Sequence, residues 1–412
     1  MIRVGIECEQ LEGRRFGVGH TLAQLLKTLS ELSLDEREWR FALYFKKEVP
    51  DDPFLKRPIF EKHILTGRGI PASFNLFYHI LLPRRYRRDR LDCFFFPSYM
   101  LPAFFRGRSV AVLTNDVYWE AYHGTLPWRY RLSYRIFCGR AARHATKIMT
   151  ISEYSGAELR RFYRIAPERL VINPWGVEAI FQPLKTTPHY AERVAHITQT
   201  LGIEKRFFLS VGQAFPRRHT KETIEAFAAI AKSYPDLQYF CATTDKYNPP
   251  LLQTLVAQCN RAIGRDAIVL SPYLDREDLP YLMNATEALI YISDYEALGL
   301  PPIEAVRCGR PAIVADNPLS REVFGGAGFF VEHPEDPAAI ASMMRTLLDD
   351  PAATARIVEA QTPHVSRYNW RTNAEKLLRL FTEVANAKAE RSCASKLSHA
   401  CACREQKQCA VS

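Results

Sequence analysis

The sequence contains no uninterrupted apolar run approaching the roughly 20 residues that a membrane-spanning helix needs. It opens with Arg3 and a short strand-like run broken by Glu7, so neither a span nor a secretory leader is expected. It also lacks a clean Cys-x-x-Cys pair. Of its ten cysteines, Cys8, Cys93, Cys138, Cys241, Cys259 and Cys308 lie scattered, mostly in apolar segments, as reduced core residues of a cytoplasmic protein do. Cys393, Cys401, Cys403 and Cys409 fall in a polar tail without metal-site spacing. No Asp-x-Asp stands at a strand end to hold a divalent ion, so neither a metal nor any other cofactor is expected. The first strand is not followed by a complete Gly-x-Gly-x-x-Gly turn, which argues against a nicotinamide oxidoreductase. No recognition helix, zinc finger or aromatic sheet motif accompanies the basic residues, so nucleic acid is not an expected partner.

What is present suits two domains, because 412 residues exceed one ordinary core. The net charge of +10 favours anionic partners, either a phosphorylated substrate or phospholipid headgroups. The densest basic cluster, Arg84, Arg85, Arg87, Arg88 and Arg90, follows an apolar run from Phe74 to Leu82. Two readings stay open: a membrane-facing segment, or a packed helix ending in a solvated basic loop.

Short apolar runs alternate with segments of helical spacing, the pattern of βα units in a parallel sheet. Strands are predicted at 3–6, 40–45, 62–65, 93–96, 110–114, 147–151 and 170–173, then at 207–211, 238–242, 267–270, 288–292, 312–315 and 328–331. The fold class is α/β, with two doubly wound, Rossmann-like domains facing across a cleft. Their expected limits are 1–182 for the first domain, 183–200 for a linker with its first helix, and 201–363 for the second domain. A last amphipathic helix is placed at 364–388 and a disordered, Cys-containing tail at 389–412. In open α/β sheets ligands bind beyond the carboxyl ends of the strands, and the chemistry is sought there.

The strongest signal follows the strand predicted at 288–292. It reads Asp294-Tyr295-Glu296-Ala297-Leu298-Gly299-Leu300-Pro301-Pro302-Ile303-Glu304-Ala305. Pro301 and Pro302 suit the first turn of a helix whose unpaired N–H groups can face a diphosphate, and Gly299 removes a Cβ from the approach. Glu304 can accept hydrogen bonds from vicinal ribose hydroxyls. An arbitrary pair of glutamates would more often be a dipole-complementing and a solvated carboxylate. A second element, Val211-Gly212-Gln213-Ala214-Phe215-Pro216-Arg217-Arg218-His219, offers two guanidiniums for bidentate phosphate contacts, against the plainer reading of a solvated basic turn.

Together these stretches resemble retaining glycosyltransferases of family 4, which have the GT-B fold and are grouped as glycosyl transferases group 1. Their signatures are Ser-x-x-Glu-Gly-Phe-Gly-Leu-Pro-x-x-Glu-Ala and Val-Gly-x-x-x-Pro-Arg-Lys-Asn. Arg218 stands where that family has lysine, and His219 where it has Asn or Gly. The resemblance continues in Gly17-Val18-Gly19-His20, in Thr150-Ile151-Ser152-Glu153-Tyr154-Ser155, and in Asn173-Pro174-Trp175-Gly176-Val177. Alone, Gly-x-Gly is weak and Ser152 reads equally as a helix cap. Thr114-Asn115-Asp116-Val117 stands where many members have Thr-x-His-Asp, so that Asp116 matches and Asn115 takes the place of a histidine.

The resemblance implies Glu296 and Asp116 as catalytic residues. It implies donor contacts from Gly212, Arg217, Arg218, Leu298, Gly299, Leu300, Glu304 and Tyr273, with Gly17, Gly19, Asn115 and Ser152 on the acceptor side. It further implies that the first domain is the acceptor side, that the second binds the nucleotide sugar, that the last helix crosses back to the first, and that hexosyl transfer from GDP-mannose or a UDP-hexose is metal-independent and retaining. The acceptor would be a glycan or polyprenyl-diphosphate-linked glycan of a surface polysaccharide, in the cytoplasm or at the inner face of the plasma membrane, with Arg84–Arg90 contacting anionic lipid. The competing expectation is a glycosyltransferase-like binding or scaffold protein without turnover.

Overall fold

The computed structural model describes residues 1–15, 17–67, 69–124, 126–271 and 274–387. Tyr273, the four tail cysteines and the expected 389–412 tail lie outside the described residues. The chain divides into two compact units, one of residues 1–175 with the described residues from 370 onward, the other of residues 176–369.

The first unit holds strands β1 (Ile2–Glu7), β2 (Trp39–Phe45), β3 (Phe60–Ile64), β4 (Cys93–Phe96), β5 (Ser109–Val112), β6 (Lys147–Thr150) and β7 (Leu170–Ile172). They form one parallel sheet in the order β3-β2-β1-β4-β5-β6-β7. The second holds β8 (Arg206–Ala214), β9 (Leu237–Asp245), β10 (Ile268–Ser271), β11 (Ala288–Tyr291), β12 (Ala312–Ala315) and β13 (Phe329–Val331), in the order β10-β9-β8-β11-β12-β13, again all parallel. Strands covered on both faces must be apolar almost throughout, which is why runs such as Phe41–Phe45 and Cys93–Phe96 are completely buried. The amphipathic helix Thr220–Ile230 buries Ile224, Phe227 and Ile230, and the Phe227 ring meets those of Phe208 and Tyr239. In the first unit Phe94 and Phe96 stack at 4.5 Å, with Phe105 edge-on to both.

Each sheet grows one way from its first strand and then reverses, so a crevice opens at the carboxyl ends of β1 and β4 and of β8 and β11. The second crevice receives the turn bearing Arg217 and the turn bearing Glu296.

Two details differ from the sequence reading. The apolar run 74–82 is not a membrane-facing stripe: Phe77, Tyr78 and Leu82 are buried in the core, and Arg84, Arg87, Arg88 and Arg90 are exposed. A π-turn, Phe77–Leu81, leads without a break into the helix Leu82–Arg88, and Pro83, which has no N–H to donate, stands where the one gives way to the other. Most of the basic residues are therefore helical rather than in a loop. The passage between units falls at Trp175/Gly176, ahead of the proline-rich 181–188 stretch. Residues 177–184 are held in the second unit: Val177 N–H donates to Tyr368 O at 3.0 Å, Leu184 N–H to Asn284 Oδ1 at 2.8 Å, and Phe181 is fully buried. The last helix, residues 370–387, belongs to the first unit, where Phe381 meets Phe95 edge-on at 5.7 Å and Lys147 pairs with Glu383.

Candidate active site

β8 leaves its sheet at Ala214 and turns through a single 3₁₀ turn, Pro216–Arg218, into the helix Thr220–Ile230. β11 ends at Tyr291 and the chain reaches Gly299, which at φ 73° caps the helix Leu300–Arg307 in the left-handed conformation that glycine adopts without strain. The two turns interlock. Asp294 N–H donates to Arg217 O at 3.0 Å, Arg217 Nε to Tyr295 O at 3.1 Å, and Arg218 Nε to Glu296 Oε1 at 2.8 Å. His219 Nε2 lies 2.8 Å from Asp294 Oδ1. Arg217, Arg218 and Glu296, separate in sequence, thus converge at the carboxyl ends of the two switch-point strands.

The Arg218 guanidinium lies 4.9 Å from the centre of the Tyr291 ring, and its Nη1 donates to Gln213 O at 3.1 Å. A Cβ at Gly212, φ 108°, would stand 2.9 Å from that same Nη1, so glycine is required for Arg218 to lie against the strand end. Ser293 Oγ donates to Glu296 Oε1 at 3.1 Å, and Asn317 Nδ2 holds Ser293 O at 3.1 Å while its own Oδ1 caps the helix Pro318–Phe324.

The two glutamates have opposite electrostatics. Burial raises Glu296, but the charges of Arg218 and Arg217 and the bonds from Arg218 and Ser293 outweigh it, leaving its carboxyl below the ordinary value. Glu304 is pushed up to about 7 by burial, opposed only in part by Arg276. Burial pulls the His219 imidazole down, and the Asp294 bond with the charges of Asp294, Glu222 and Glu335 more than restores it, leaving it above the ordinary histidine value. Leu298 is buried and Leu300 half-buried beside Gly299.

Arg276, Ser293, Asp294 and Asn317 were missed by the sequence reading. Arg276 follows β10 in the charged run Asp275-Arg276-Glu277-Asp278, the one signal that marked it; it pairs with Glu178 and lies over Phe181.

In the first unit Gly19 is required by packing, since a Cβ there would meet Gln10 O at 2.3 Å, whereas one at Gly17 meets nothing within 4 Å. Ser152 caps the helix Glu153–Tyr163 by accepting from Ser155 N–H, and Ser155 Oγ accepts from Asn115 N–H at 3.1 Å. Asn115 is completely buried at the start of the helix Asn115–His123, and Asp116 stands in its first turn. Burial, and then the Asp116 charge, push the Tyr99 hydroxyl up. These residues cluster at the carboxyl ends of β5 and β6. Glu7, at the end of β1, is fully buried, accepts from Ser98 Oγ, and is raised to about 7 by burial.

Comparison with known proteins places this geometry. Residues 196–364 match the model of the family described as glycosyl transferases group 1. The serotype-specific mannosyltransferase WbdA of Escherichia coli is 23% identical over 247 residues, 60% of this chain and 30% of that protein. The O-antigen chain mannosyltransferase B of Escherichia coli is 28% identical over 244 residues, 57% of this chain and 61% of that protein. The matches thus span less than two thirds of the length of these relatives. Among solved structures, Anabaena HepE in complex with UDP-glucose superposes with a TM-score of 0.70 at 16% identity, over 93% of this chain and all of that one. Sucrose-phosphate synthase of Thermosynechococcus elongatus does so with 0.69 at 18% identity, over 94% of this chain and all of that one. The fold is theirs, and residues 196–364, which carry the interlocked turns, are similar to the glycosyl transferases group 1.

Proposed function

We propose that the chain transfers a hexose from a nucleotide-diphosphate sugar, with retention, to a glycan or polyprenyl-diphosphate-linked glycan in surface polysaccharide synthesis. The observation that carries this is the convergence of Arg217, Arg218 and Glu296 beside the helix amino terminus at Leu300. A leaving diphosphate gathers negative charge; two guanidiniums and a helix amino terminus stabilise it without a metal. Glu296, kept ionised by those arginines, can face the positive charge that develops on the transferred sugar, and Glu304 can receive the donor ribose. Asn115 cannot take a proton, which disfavours a general base at that point and suits a front-face path with retention.

GDP-mannose is the first donor to test, because two relatives are named mannosyltransferases, and UDP-glucose is the second, because a structural neighbour is described with it bound. Incubation of either donor with lipid-linked or oligosaccharide acceptors should release the nucleoside diphosphate and form a glycoside. Arg218→Ala and Glu296→Ala should each lose at least about a hundredfold in turnover while still folding. Near-normal rates in these variants would end this assignment. Binding of nucleotide sugar without any diphosphate release would instead establish the binding or scaffold protein.

A membrane surface is the proposed site of action, at the cytoplasmic face. Among the described residues no helix is long and apolar enough to cross a membrane. The first unit nevertheless exposes Phe104, Trp128, Tyr130, Leu132 and Ile136, the last four on the helix Trp128–His144 amid Arg129, Arg131 and Arg135. Arg140 of that helix donates to Pro102 O and Phe105 O, beside a cavity of about 450 Å³ lined by Arg84, Arg87, Phe104 and Arg106. Trp128, Leu132 and Ile136, four residues apart on one helix face with Arg129, Arg131 and Arg135 nearby, suit an anionic bilayer interface. The chain should sediment with phosphatidylglycerol-containing vesicles and not with phosphatidylcholine alone; equal partition removes the membrane from the proposal.

A further inference from the structure

We infer that His219 is a positioning residue for the donor diphosphate, its imidazolium clamping the β8 turn to Asp294 so that Arg217 and Arg218 stay in register with Glu296. The inference rests on the reading of this turn as the diphosphate site and adds a residue to it.

Position 219 sits at φ 44°, ψ 35°, a left-handed conformation that residues with a Cβ rarely adopt and that Asn, Asp and His tolerate best. The family pattern has Asn or Gly there, which satisfies the backbone alone; histidine does so and adds a ring with reach. That ring is nearly enclosed, its side chain 12% exposed, with Nε2 at 2.8 Å from Asp294 Oδ1 and Nδ1 at 3.8 Å from Glu222 Oε2. Asp294 is therefore held twice by the other turn, through its N–H by Arg217 O and through its carboxylate by the His219 ring. Arg218, lying between the two holding points in sequence, directs its guanidinium at Glu296. With one hold broken, the turn pivots on the other.

The charged groups facing the imidazole are Asp294 from the β11 turn, Glu222 from its own helix and Glu335 from the segment after β13. All three are acidic and favour the imidazolium against burial. The clamp is closed while His219 is protonated and loosens as pH rises through its pKa, so the direction is fixed: donor affinity falls with rising pH.

The test is calorimetric titration of UDP-glucose and GDP-mannose into the whole chain between about pH 5.5 and 8.5, for the wild type, His219→Asn and Asp294→Asn. His219→Asn preserves the tolerance for left-handed backbone while removing charge and reach. Glu304 titrates in the same range in all three proteins, so the measure is the ratio of variant to wild-type dissociation constant. Both variants should bind roughly fivefold more weakly at the acid end, with the ratio closing toward one at the alkaline end as the wild type loses its clamp. A ratio of one throughout, or a constant ratio at every pH, overturns the positioning role. In parallel, the His219 Cε1 proton should titrate by NMR above the ordinary histidine value in the ligand-free wild type and fall back in Asp294→Asn; an unshifted titration overturns the clamp. If neither donor binds the wild type, the proposed function fails and the positioning role with it, while the clamp is decided by the titration.

Discussion

Glu296 lies in the turn after β11 and Glu304 in the helix that this turn leads into, yet their surroundings drive their protonation apart. Glu296 faces two guanidiniums and stays ionised; Glu304, enclosed and opposed only by Arg276, is neutral up to about pH 7. An unfolded chain releases the Glu304 proton near pH 4.5, so between that pH and 7 the folded state binds more protons and stability falls as pH rises. Glu304→Gln, neutral in both states, should remove that loss. Its urea midpoint should exceed the wild type's at pH 8, by an amount worth at most about 3 kcal/mol, and the difference should vanish in acid. Its donor affinity should drop about tenfold, because an amide has one oxygen to offer where a carboxylate has two. Equal midpoints at pH 8 would mean that Glu304 is not destabilised by burial. The local pattern made Arg217, Arg218, Glu296 and Glu304 legible because each sits within a few residues of a proline, glycine or strand end that marks its turn. Asp294, Asn317 and Arg276 act through partners 24 to 98 positions away, and spacing along the chain carries no trace of such pairings.

The strands were legible because parallel strands buried on both faces read as continuous apolar runs. β8 and β9 run further than expected, through Gly212 and Gln213 and through Thr243 to Asp245, where the chain turns polar and the apolar signal ends while the ladder continues. The functional turn begins on that polar extension. Gly212→Ala places a side chain at φ 108° and against Arg218, a strain of about 1–3 kcal/mol. The expected result is a donor KM raised more than tenfold with a modest loss of melting temperature; an unchanged KM would show that Arg218 has room to move. The helix 370–387 is an element whose attachment, unlike its existence, was not written in its own periodicity. Phe381 fills a fully buried site against Phe95, and Phe381→Ala should cost about 3–5 kcal/mol in urea denaturation. A loss under 1 kcal/mol would indicate that the helix contributes little to the first unit.

For the whole molecule, two repeated sets of apolar runs alternating with helical segments were enough to show two α/β units, while the reversal of strand order within each sheet is set by the pairing and not by the runs. The passage between them was harder to read: the linker is expected at 183–200, but the chain passes at Trp175/Gly176, and bonds to Tyr368 and Asn284 fasten residues 177–184 to the second unit. A donor that binds only the folded second unit should stabilise the protein by about 2.7 kcal/mol at a hundredfold excess over its Kd, read as an upward shift in melting temperature. GDP-mannose and UDP-glucose shifting nothing at millimolar concentration would leave that unit without its proposed ligand.

The chain leaves the first unit at Trp175 and returns at Trp370, where the two indoles stack at 5.7 Å and Asn173 and Asn373 exchange hydrogen bonds. During synthesis the seven-stranded sheet must therefore wait for the helix that covers Phe95 until all of residues 176–369 have left the ribosome, a delay of roughly 10–40 s at ordinary elongation rates. The segment made later is the first to have its full set of partners, and the earlier one spends that interval with an unfinished face, within reach of whatever chaperones attend nascent chains.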